Sequence, residues 1–275
     1  QLAQMLCKAA RKRNLDVFVQ ASTNKDPAVT HCNQCVLSPP EDAEGTRRLS
    51  ELSTHITFEN EWLDIEKLDK LHEQGVNFIP TISSLSHLVE KISQRRLLQR
   101  LNIPGPKWIL LEDIDKNHLK LPFGWQFPIM AKCSKGGYDG KGTKKIEDYS
   151  DLSNLIEEVN LEDWFLESWV QYRQELAIVA SRDINGTIRA LPLVETFQKD
   201  QICDWISAPA SVGNDVKQMA YNIVCSILVE LNYVGVLAIE FFYGDNGLEV
   251  NEIAPRTHNS GHFSIEACSS SQFDQ

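Results

Sequence analysis

Two acidic side chains and an amide lie on a segment with the alternation of a β-hairpin. Residues 238–243 form an apolar run interrupted by Glu240, Gly-Asp-Asn-Gly forms a turn, and residues 248–253 alternate apolar side chains with polar ones that include Asn251 and Glu252. Because side chains alternate faces along a strand, Glu240 is predicted to lie near Glu252 or Asn251. Such oxygens suit Mg²⁺, which completes its shell with waters and substrate phosphates. The segment predicts a metal-nucleotide site, with a solvated hairpin as the alternative.

The loop that follows this hairpin is dense in hydrogen-bonding groups. Residues 254–262 have no apolar period and carry a guanidinium, two imidazoles, an amide and two hydroxyls. Arg256 suits bidentate capture of a carboxylate or phosphate, and Ser260 with the Gly261 backbone could cradle a second anion. We interpret the loop as a substrate-binding element beside the metal-nucleotide site.

A glycine-rich stretch provides a second candidate for nucleotide binding. Residues 129–132 are predicted to form a strand that ends in Lys132, and the next residues alternate glycines with charged and aromatic side chains through residue 143. Glycines allow backbone amides to approach phosphates closely, and lysines neutralise phosphate charge. The spacing does not match a P-loop. A lid over the nucleotide and a flexible hairpin tip are the two interpretations.

Composition excludes several functional classes. The 275 residues are 42% hydrophobic and 24% charged, typical of a globular protein long enough for two or three domains. The formal net charge of −11 argues against binding to nucleic acid or to an anionic membrane surface, and no apolar run reaches the length of a membrane span. Seven cysteines without framework spacing predict a reduced compartment, the cytoplasm, and the lone Cys32–Cys35 pair is a weak metal or redox signal.

The elements that must position these residues alternate between helix and strand. This pattern predicts an α/β protein with a parallel sheet in its first part. The predicted helices cover residues 1–13, 41–52, 63–74, 83–101, 148–159 and 212–231. The predicted strands cover residues 16–19, 35–37, 56–58, 164–170 and 188–195, with a further strand that begins at Glu175. Pro104 and Pro106 stop a helix and place a domain boundary near residues 85–105.

Four charged residues are isolated candidates for ligand contacts. Glu59 follows a predicted strand at the edge where open α/β sheets bind ligands, and it could equally begin a helix. Lys91 could reach a phosphate or an adenine edge, and Glu167 and Glu175 could contact adenine and ribose. Each of these three side chains could instead be solvated.

Together these motifs resemble the ATP-grasp superfamily and, within it, the family of N5-carboxyaminoimidazole ribonucleotide synthetases. The resemblance extends over nearly the whole chain and rests on Lys132 with GGYDGKG, Glu167-Ser-Trp-Val, Glu175, Glu240, NEIAPRTHNSGH and IEACSSSQF. It implies a Rossmann-like pre-ATP-grasp domain at residues 1–88, lacking its first strand. It also implies an ATP-grasp domain at residues 89–275, with a lid at about 128–170 and a metal and substrate subdomain at about 171–275. A small C-terminal domain would follow.

The resemblance also implies a reaction and its participants. Members carboxylate 5-aminoimidazole ribonucleotide with bicarbonate and ATP through carboxyphosphate, in de novo purine biosynthesis, and they are usually homodimers. ATP and Mg²⁺, with Mn²⁺ as an alternative metal, are therefore expected. Other ATP-grasp ligases, such as the formate-dependent purine transformylase or a biotin carboxylase-like protein, and a non-catalytic nucleotide-binding module are the alternatives.

Motif matches assign roles to individual residues. The metal ligands are expected to be Glu240 and Glu252. Asp139, Lys141 and Arg256 are expected to be catalytic. Substrate contacts are expected from Glu59, Tyr138, Asp139, Lys141, Arg256, His258, Asn259 and Ser260. ATP contacts are expected from Lys91, Lys132, Gly137, Tyr138, Asp139, Gly140, Lys141, Gly142, Thr143, Glu167, Ser168, Trp169, Val170, Glu175, Asn251 and Glu252. The sequence differs from the family pattern at two positions that bear on ATP affinity. Lys91 stands where many members have Arg, and Gln198 stands near the position of a histidine that approaches the nucleotide in the family.

Overall fold

The first part of the chain is a small α/β unit. The computed structural model describes residues 1–116, 118–136, 142–199 and 202–275. The first elements are α1 (Leu2–Lys12), β1 (Phe18–Ala21), β2 (Gln34–Leu37), α2 (Ala43–Ser50), α3 (Ile65–Glu73) and α4 (Ile82–Leu85). Strands β1 and β2 pair in parallel, as the alternation predicts. The strand predicted at residues 56–58 is reduced to a single parallel bridge between Ile56 and Phe78. Both bridge residues are buried in the core of this unit.

A four-stranded antiparallel sheet follows. The elements of this part of the chain are the helices α5 (Lys91–Arg100) and α6 (Tyr149–Glu158) and the strands β3 (Trp108–Leu110), β4 (Ile129–Cys133), β5 (Thr143–Ile146) and β6 (Trp164–Ser168). The strand order is β3-β6-β4-β5. The single helix predicted at residues 83–101 is wrong, because the chain leaves helical geometry between α4 and α5, and Glu90 is extended at the start of α5. Lys91 is therefore the first residue of α5, which is a separate helix from α4.

The last part of the chain forms a larger sheet. Its elements are β7 (Gln174–Arg182), β8 (Ile188–Ala190), β9 (Val194–Lys199), β10 (Ile202–Ser207), α7 (Asn214–Glu230), β11 (Gly235–Gly244), β12 (Gly247–Ala254) and α8 (Ser264–Ala267). The order is β10-β9-β7-β11-β12, with β8 paired to β7. The predicted strand at residues 188–195 is divided between β8 and β9, since Pro192 lies between them and cannot donate to a ladder.

Helix α7 supplies the apolar face that covers this larger sheet. Val216, Ile223 and Ile227 are buried against β11 and β12 side chains in one core, so the predicted packing role of this helix is confirmed. Within the residues that the structure describes, none of the helices combines the length and apolarity that crossing a bilayer requires. The predicted boundaries of the domains and of the lid stay predictions.

The hairpin of β11 and β12 is confirmed and contains an irregularity. Gly244 pairs with Gly247 across the two-residue turn, and Gly247 has a φ of +88°, a left-handed conformation that favours glycine. Glu240 pairs with Glu252, but the next pair joins Phe241 to Val250. Asn251 is therefore the extra residue of a β-bulge in strand β12.

Candidate active site

One cavity of about 570 Å³ contains most of the predicted site residues that the structure describes. The predicted residues that line it are Lys91, Lys132, Thr143, Glu167, Ser168, Trp169, Val170, Glu175, Glu240, Asn251, Glu252, Arg256, His258 and Asn259. Three described candidates are not among the lining residues: Glu59, Gly142 and Ser260. The predicted roles of Gly137, Tyr138, Asp139, Gly140 and Lys141 concern positions outside the described residues. The side chains from the two antiparallel sheets and from the loop after β12 thus meet in one cavity.

The bulge in β12 explains how three oxygen-bearing side chains reach the same cavity. Regular alternation would place Asn251 and Glu252 on opposite faces of the strand. The extra residue changes the direction of the chain, so both line the cavity, while the preceding Val250 is buried in the core. Glu240, directly opposite Glu252 on β11, lines the same cavity. The expected approach of Glu240 to Glu252 is confirmed, and Asn251 joins them on the cavity side.

The two facing carboxyl groups have different electrostatic environments. Burial, together with the nearby Glu252 and Glu175 carboxylates, raises the pKa of Glu240 to about 7. Burial also opposes ionisation of Glu252, but the Lys91 ammonium lies 2.5 Å from its Oε1 and holds the pKa of Glu252 below its usual value. Glu252 is therefore already ionised in the free protein, and the approach of a cation would favour loss of the proton from Glu240 near neutral pH.

A buried ion network lies beside these carboxylates. Lys132 Nζ is 2.7 Å from Glu167 Oε2 and donates to Asn251 Oδ1 at 3.2 Å. Arg95 Nε donates to the other Glu167 oxygen, and the Arg95 and Glu167 side chains are both almost fully buried. Burial opposes ionisation of Glu167, yet the two cations lower the pKa of its carboxyl. Glu167 is therefore a fixed anion that orients Lys132 toward the cavity.

Helix α5 covers the free edge of β12, which is the last strand of its sheet. Arg95 donates to the carbonyls of Val250 at 3.1 Å and Asn251 at 2.6 Å, so one guanidinium holds both backbone oxygens at the bulge. Gln94 accepts from the Ile253 N–H at 3.0 Å and donates to the Ile253 carbonyl at 2.8 Å. These contacts satisfy an edge that would otherwise be open to another strand. The sequence shows Arg95 only as part of a basic stretch, and nothing in its spacing marks these bonds.

The base of the glycine-rich loop is attached to the same helix. The Lys91 N–H donates to the Ser134 carbonyl at 2.9 Å, and the Gly142 carbonyl accepts from the Cys133 N–H at 2.7 Å. Gly142 has a φ of +81°, which requires glycine-like backbone freedom. The first and last described parts of the loop are thus anchored next to Lys91 and Lys132.

An aromatic wall forms another side of the cavity. Tyr172 stacks on Phe242, with ring centroids 4.6 Å apart, and the Tyr172 hydroxyl donates to Glu175 Oε1 at 2.5 Å. Trp169 is a further lining residue. The sequence reasoning named Glu175 and Trp169 but missed Tyr172 and Phe242. Phe242 lies two residues after Glu240, so strand alternation would have placed it on the same face, whereas Tyr172 lies outside every motif and has no signal in a single sequence.

Substrate-loop residues approach the carboxylates from a third direction. Arg256 Nε lies 2.8 Å from Glu61 Oε1, so the loop contacts the first part of the chain. Ser260 N donates to His258 Nδ1 at 3.4 Å, and the Ser260 hydroxyl is 2.9 Å from the same nitrogen. His258 Nε2 then faces Glu240 Oε1 at 3.5 Å. Burial and the Arg256 charge lower the pKa of His258 to about 4, so the imidazole is neutral at physiological pH.

Glu59 occupies a different position from the one expected. Its carboxylate accepts from the Ala3 N–H at 2.5 Å, at the start of α1. Glu61, two residues later, lines the cavity and pairs with Arg256. The sequence reasoning missed Glu61, although the strand-end argument selected this segment. The proposed substrate contact of Glu59 stays a prediction that the lining of the cavity does not support.

The donor set of the cavity fits Mg²⁺. Among the described residues, no group of three or more His, Cys, Asp or Glu side chains could hold a metal ion by itself. Two facing carboxylates next to an amide oxygen are hard ligands. Burial first, and then repulsion from Glu252 and Glu175, raise the pKa of Glu240, and a cation would offset both effects. An ion that keeps several waters and binds substrate phosphates needs only such a partial set from the protein.

Comparison with known proteins identifies relatives. Residues 96–273 match the ATP-grasp domain model. The chain is 38% identical over 275 residues to N5-carboxyaminoimidazole ribonucleotide synthase of Synechococcus elongatus, covering 100% of this chain and 69% of the relative. It is 42% identical to the enzyme of the same name from Synechocystis, covering 99% and 71%. The Aspergillus clavatus N5-carboxyaminoimidazole synthase, solved with ADP and 5-aminoimidazole ribonucleotide, matches with a TM-score of 0.88 and 26% identity, covering 100% and 72%.

Proposed function

Since this chain belongs to the N5-carboxyaminoimidazole ribonucleotide synthase family of ATP-grasp proteins, we propose that the cavity described above is the active site for ATP-driven carboxylation of 5-aminoimidazole ribonucleotide. The chain is an ATP-dependent carbon–nitrogen ligase of purine biosynthesis. The observation that carries the assignment to this cavity is the meeting of Glu240, Glu252 and Lys132 with the loop that contains Arg256 and His258.

The proposed reaction has three steps. An oxygen of bicarbonate attacks the γ-phosphorus of ATP, the bond to the bridging β–γ oxygen breaks, and ADP leaves with that oxygen. The resulting carboxyphosphate releases phosphate and CO₂. The exocyclic amine of the ribonucleotide attacks the carbon of CO₂ and loses a proton, which yields the N5-carboxylate. Bicarbonate is a poor electrophile, so phosphorylation is what supplies a good leaving group. Such transfers depend mainly on positioning and on charge neutralisation.

ATP binding draws on both sheets. Lys132 forms an ion pair with Glu167 and donates a hydrogen bond to Asn251, and we propose that its ammonium neutralises phosphate charge. Lys91, also a cavity residue, provides a second cation. The aromatic wall of Tyr172 and Phe242, with Glu175, suits a nucleoside. The segment of Ser168, Trp169 and Val170 lines the cavity and is proposed to contact the base, and Thr143 is proposed to act at the lid.

The metal ligands are proposed to be Glu240 and Glu252, with Asn251 beside them. A bound Mg²⁺, or Mn²⁺ in its place, would neutralise phosphate charge and orient the transferring group. The chain's own contribution is to hold the two carboxylates face to face across the hairpin and to keep Lys91 within reach of Glu252.

The ribonucleotide site is proposed to lie at the loop after β12. Arg256 lines the cavity and forms an ion pair with Glu61. Its guanidinium can bind a phosphate or a carboxylate of the substrate. Neutral His258 and Asn259 offer uncharged donors and acceptors, and buried Ser260 fixes the imidazole of His258. The catalytic roles proposed for Asp139 and Lys141, and the substrate contact proposed for Tyr138, remain proposals for positions outside the described residues. A cytoplasmic location and a homodimer are proposed from the family.

Omission experiments test this function. ADP release should require 5-aminoimidazole ribonucleotide, bicarbonate and Mg²⁺ together, and the ribonucleotide should gain a carboxylate in proportion to the ADP formed. Equal ADP release with formate in place of bicarbonate would assign the chain to a formate-using ligase instead. Nucleotide binding without turnover, measured on the full-length protein, would contradict the enzymatic proposal.

A further inference from the structure

A buried glutamine lies directly behind the substrate loop. Gln272 belongs to the Ser-Gln-Phe segment near the end of the chain, and its side chain is fully buried. Its Oε1 accepts from the His258 N–H at 2.8 Å, and its Nε2 donates to the His258 carbonyl at 2.7 Å. Both backbone polar groups of one loop residue are therefore held by a single amide.

The surroundings of Gln272 fix this amide in place. The Gln272 N–H donates to the Ser264 hydroxyl at 3.0 Å, and that hydroxyl donates to the Gly261 carbonyl at 2.5 Å. A Cβ at Gly261 would lie 2.6 Å from Gln272 Oε1, a distance that would force one of the two groups to move. The glycine in the loop is therefore needed for the close approach of the glutamine side chain.

The held residue points into the site. With its backbone fixed, His258 turns Nδ1 toward Ser260 and Nε2 toward Glu240, while Asn259 and Arg256 flank it on the cavity wall. A small rotation of the His258 backbone would move the imidazole and the amide of Asn259 together. Misplacement by about 1 Å can cost on the order of 100-fold in rate.

We propose that Gln272 is a positioning residue that fixes the backbone of His258 and thereby shapes the site for the aminoimidazole ribonucleotide. Gln272 acts through the loop and is not a cavity-lining residue itself. The proposal rests on the proposed function, because it takes the loop after β12 as the ribonucleotide site. It predicts that changes at Gln272 affect the ribonucleotide and leave ATP binding intact.

An isosteric substitution tests the proposal. Gln272→Glu keeps the shape and the acceptor for the His258 N–H, but the ionised carboxylate cannot donate to the His258 carbonyl and repels it. Burial favours the protonated form of the introduced carboxyl, so the constants are compared at the alkaline end of the enzyme's active pH range, where the carboxyl is ionised. There the KM for the ribonucleotide should rise about 10- to 100-fold, while the KM for ATP should change less than about twofold. Equal changes in both constants, or no change in either, would overturn the proposal.

The pH dependence of the same variant provides a second readout. A protonated glutamic acid can donate its O–H to the His258 carbonyl as the amide does, so the defect should shrink at low pH and grow as pH rises. The measured quantity is the ratio of variant to wild-type kcat/KM for the ribonucleotide. A ratio that is constant with pH would contradict the donor role of Gln272.

Matched variants separate positioning from folding. Gln218→Glu makes the same chemical change at an exposed site on α7 and should leave both KM values unchanged. Gly261→Ala should reproduce the selective rise in the KM for the ribonucleotide, because the added methyl group displaces the Gln272 amide. A Gly261→Ala variant with wild-type constants would contradict the proposed packing.

The positioning of His258 can also be read without turnover. In protein labelled at histidine, the imidazole signals of His258, assigned with a His258→Asn variant, should shift in Gln272→Glu and remain unchanged in Gln218→Glu. If wild-type protein carboxylated no ribonucleotide but these signals still shifted, the proposed function would fail while the structural part of the inference held. Unshifted signals would overturn the inference itself.

Discussion

Glu240 and Glu252 lie directly opposite each other on β11 and β12. The pKa of Glu240 is raised above the usual value of a glutamate, whereas the pKa of Glu252 is lowered below it. Lys91 contacts Glu252 Oε1 at 2.5 Å, whereas Glu240 faces neutral His258. One member of the pair is therefore a stable anion in the free protein, and the other loses its proton near pH 7. This asymmetry suits a site that accepts a cation on nucleotide binding.

Removing the charge of Glu252 should reduce turnover sharply. We expect Glu252→Gln to lower kcat with Mg·ATP by at least about 100-fold, since metal-based charge stabilisation contributes several kcal/mol. The change is isosteric, so circular dichroism and thermal unfolding should match wild type. Glu249→Gln, on the same strand but away from the cavity lining, is the control and should keep most of the activity. A Glu252→Gln enzyme with wild-type kcat would exclude the metal role.

The raised pKa of Glu240 predicts a pH dependence of stability in metal-free protein. The folded value is about 7 and the ordinary value is 4.5, so folding is favoured by protonation and the stabilising contribution is lost as pH rises through 7. Relative to Glu240→Gln, the wild-type free energy of unfolding should fall between about pH 5 and pH 8, by less than about 3 kcal/mol. Denaturant unfolding with chelator measures it. A difference that is independent of pH would show that Glu240 is not protonated in the folded state.

Substitutions at the buried ion pair of Arg95 and Glu167 should have strongly non-additive effects on the free energy of unfolding. Arg95→Met leaves a buried carboxylate with one of its two cations and removes two bonds to the β12 bulge, so a loss of about 3–5 kcal/mol in unfolding free energy is expected. The double variant Arg95→Met with Glu167→Gln should lose less than the sum of the two single variants.

An exposed arginine on the same helix provides the control for this cycle. Arg100 lies 3.3 Å from Glu230 at the surface, and Arg100→Met should cost less than about 1 kcal/mol. If the loss of unfolding free energy in the double variant equalled the sum of the two single losses within about 0.5 kcal/mol, the coupling of Arg95 and Glu167 would be contradicted.

Local patterns in the sequence predict the hairpin, and the family resemblance predicts many of the residues that line its cavity. Alternation around Glu240 and Glu252, with a glycine-flanked turn, places Glu240 near Glu252 or Asn251 without choosing between them, and the structure pairs it with Glu252. The resemblance to the ATP-grasp family is confirmed by the comparisons. The bulge at Asn251 leaves only a partial signal: two consecutive polar residues between Val250 and Ile253 interrupt the period-two alternation, but the interruption does not show which of them is the extra residue.

Long-range contacts account for most of what the sequence does not predict. Arg95 meets Glu167 across 72 residues, and Gln94 meets Ile253 across 159 residues, so no local pattern contains either pair. The break between α4 and α5 has the same origin. Residues 86–90 have no glycine or proline to mark a stop, and Leu88 is fully buried against the core that contains α7. Tertiary packing therefore ends a helix that the local periodicity would continue.

The most direct test of the central claim follows an oxygen atom. With ¹⁸O-labelled bicarbonate, ATP, Mg²⁺ and 5-aminoimidazole ribonucleotide, and with phosphate sampled before the label exchanges with water, each inorganic phosphate should contain one ¹⁸O. This result is expected because the attacking bicarbonate oxygen stays on phosphorus when carboxyphosphate breaks down. Phosphate that contains only unlabelled oxygen, formed together with ADP, would mean that water attacks ATP, and it would contradict carboxylation through this site.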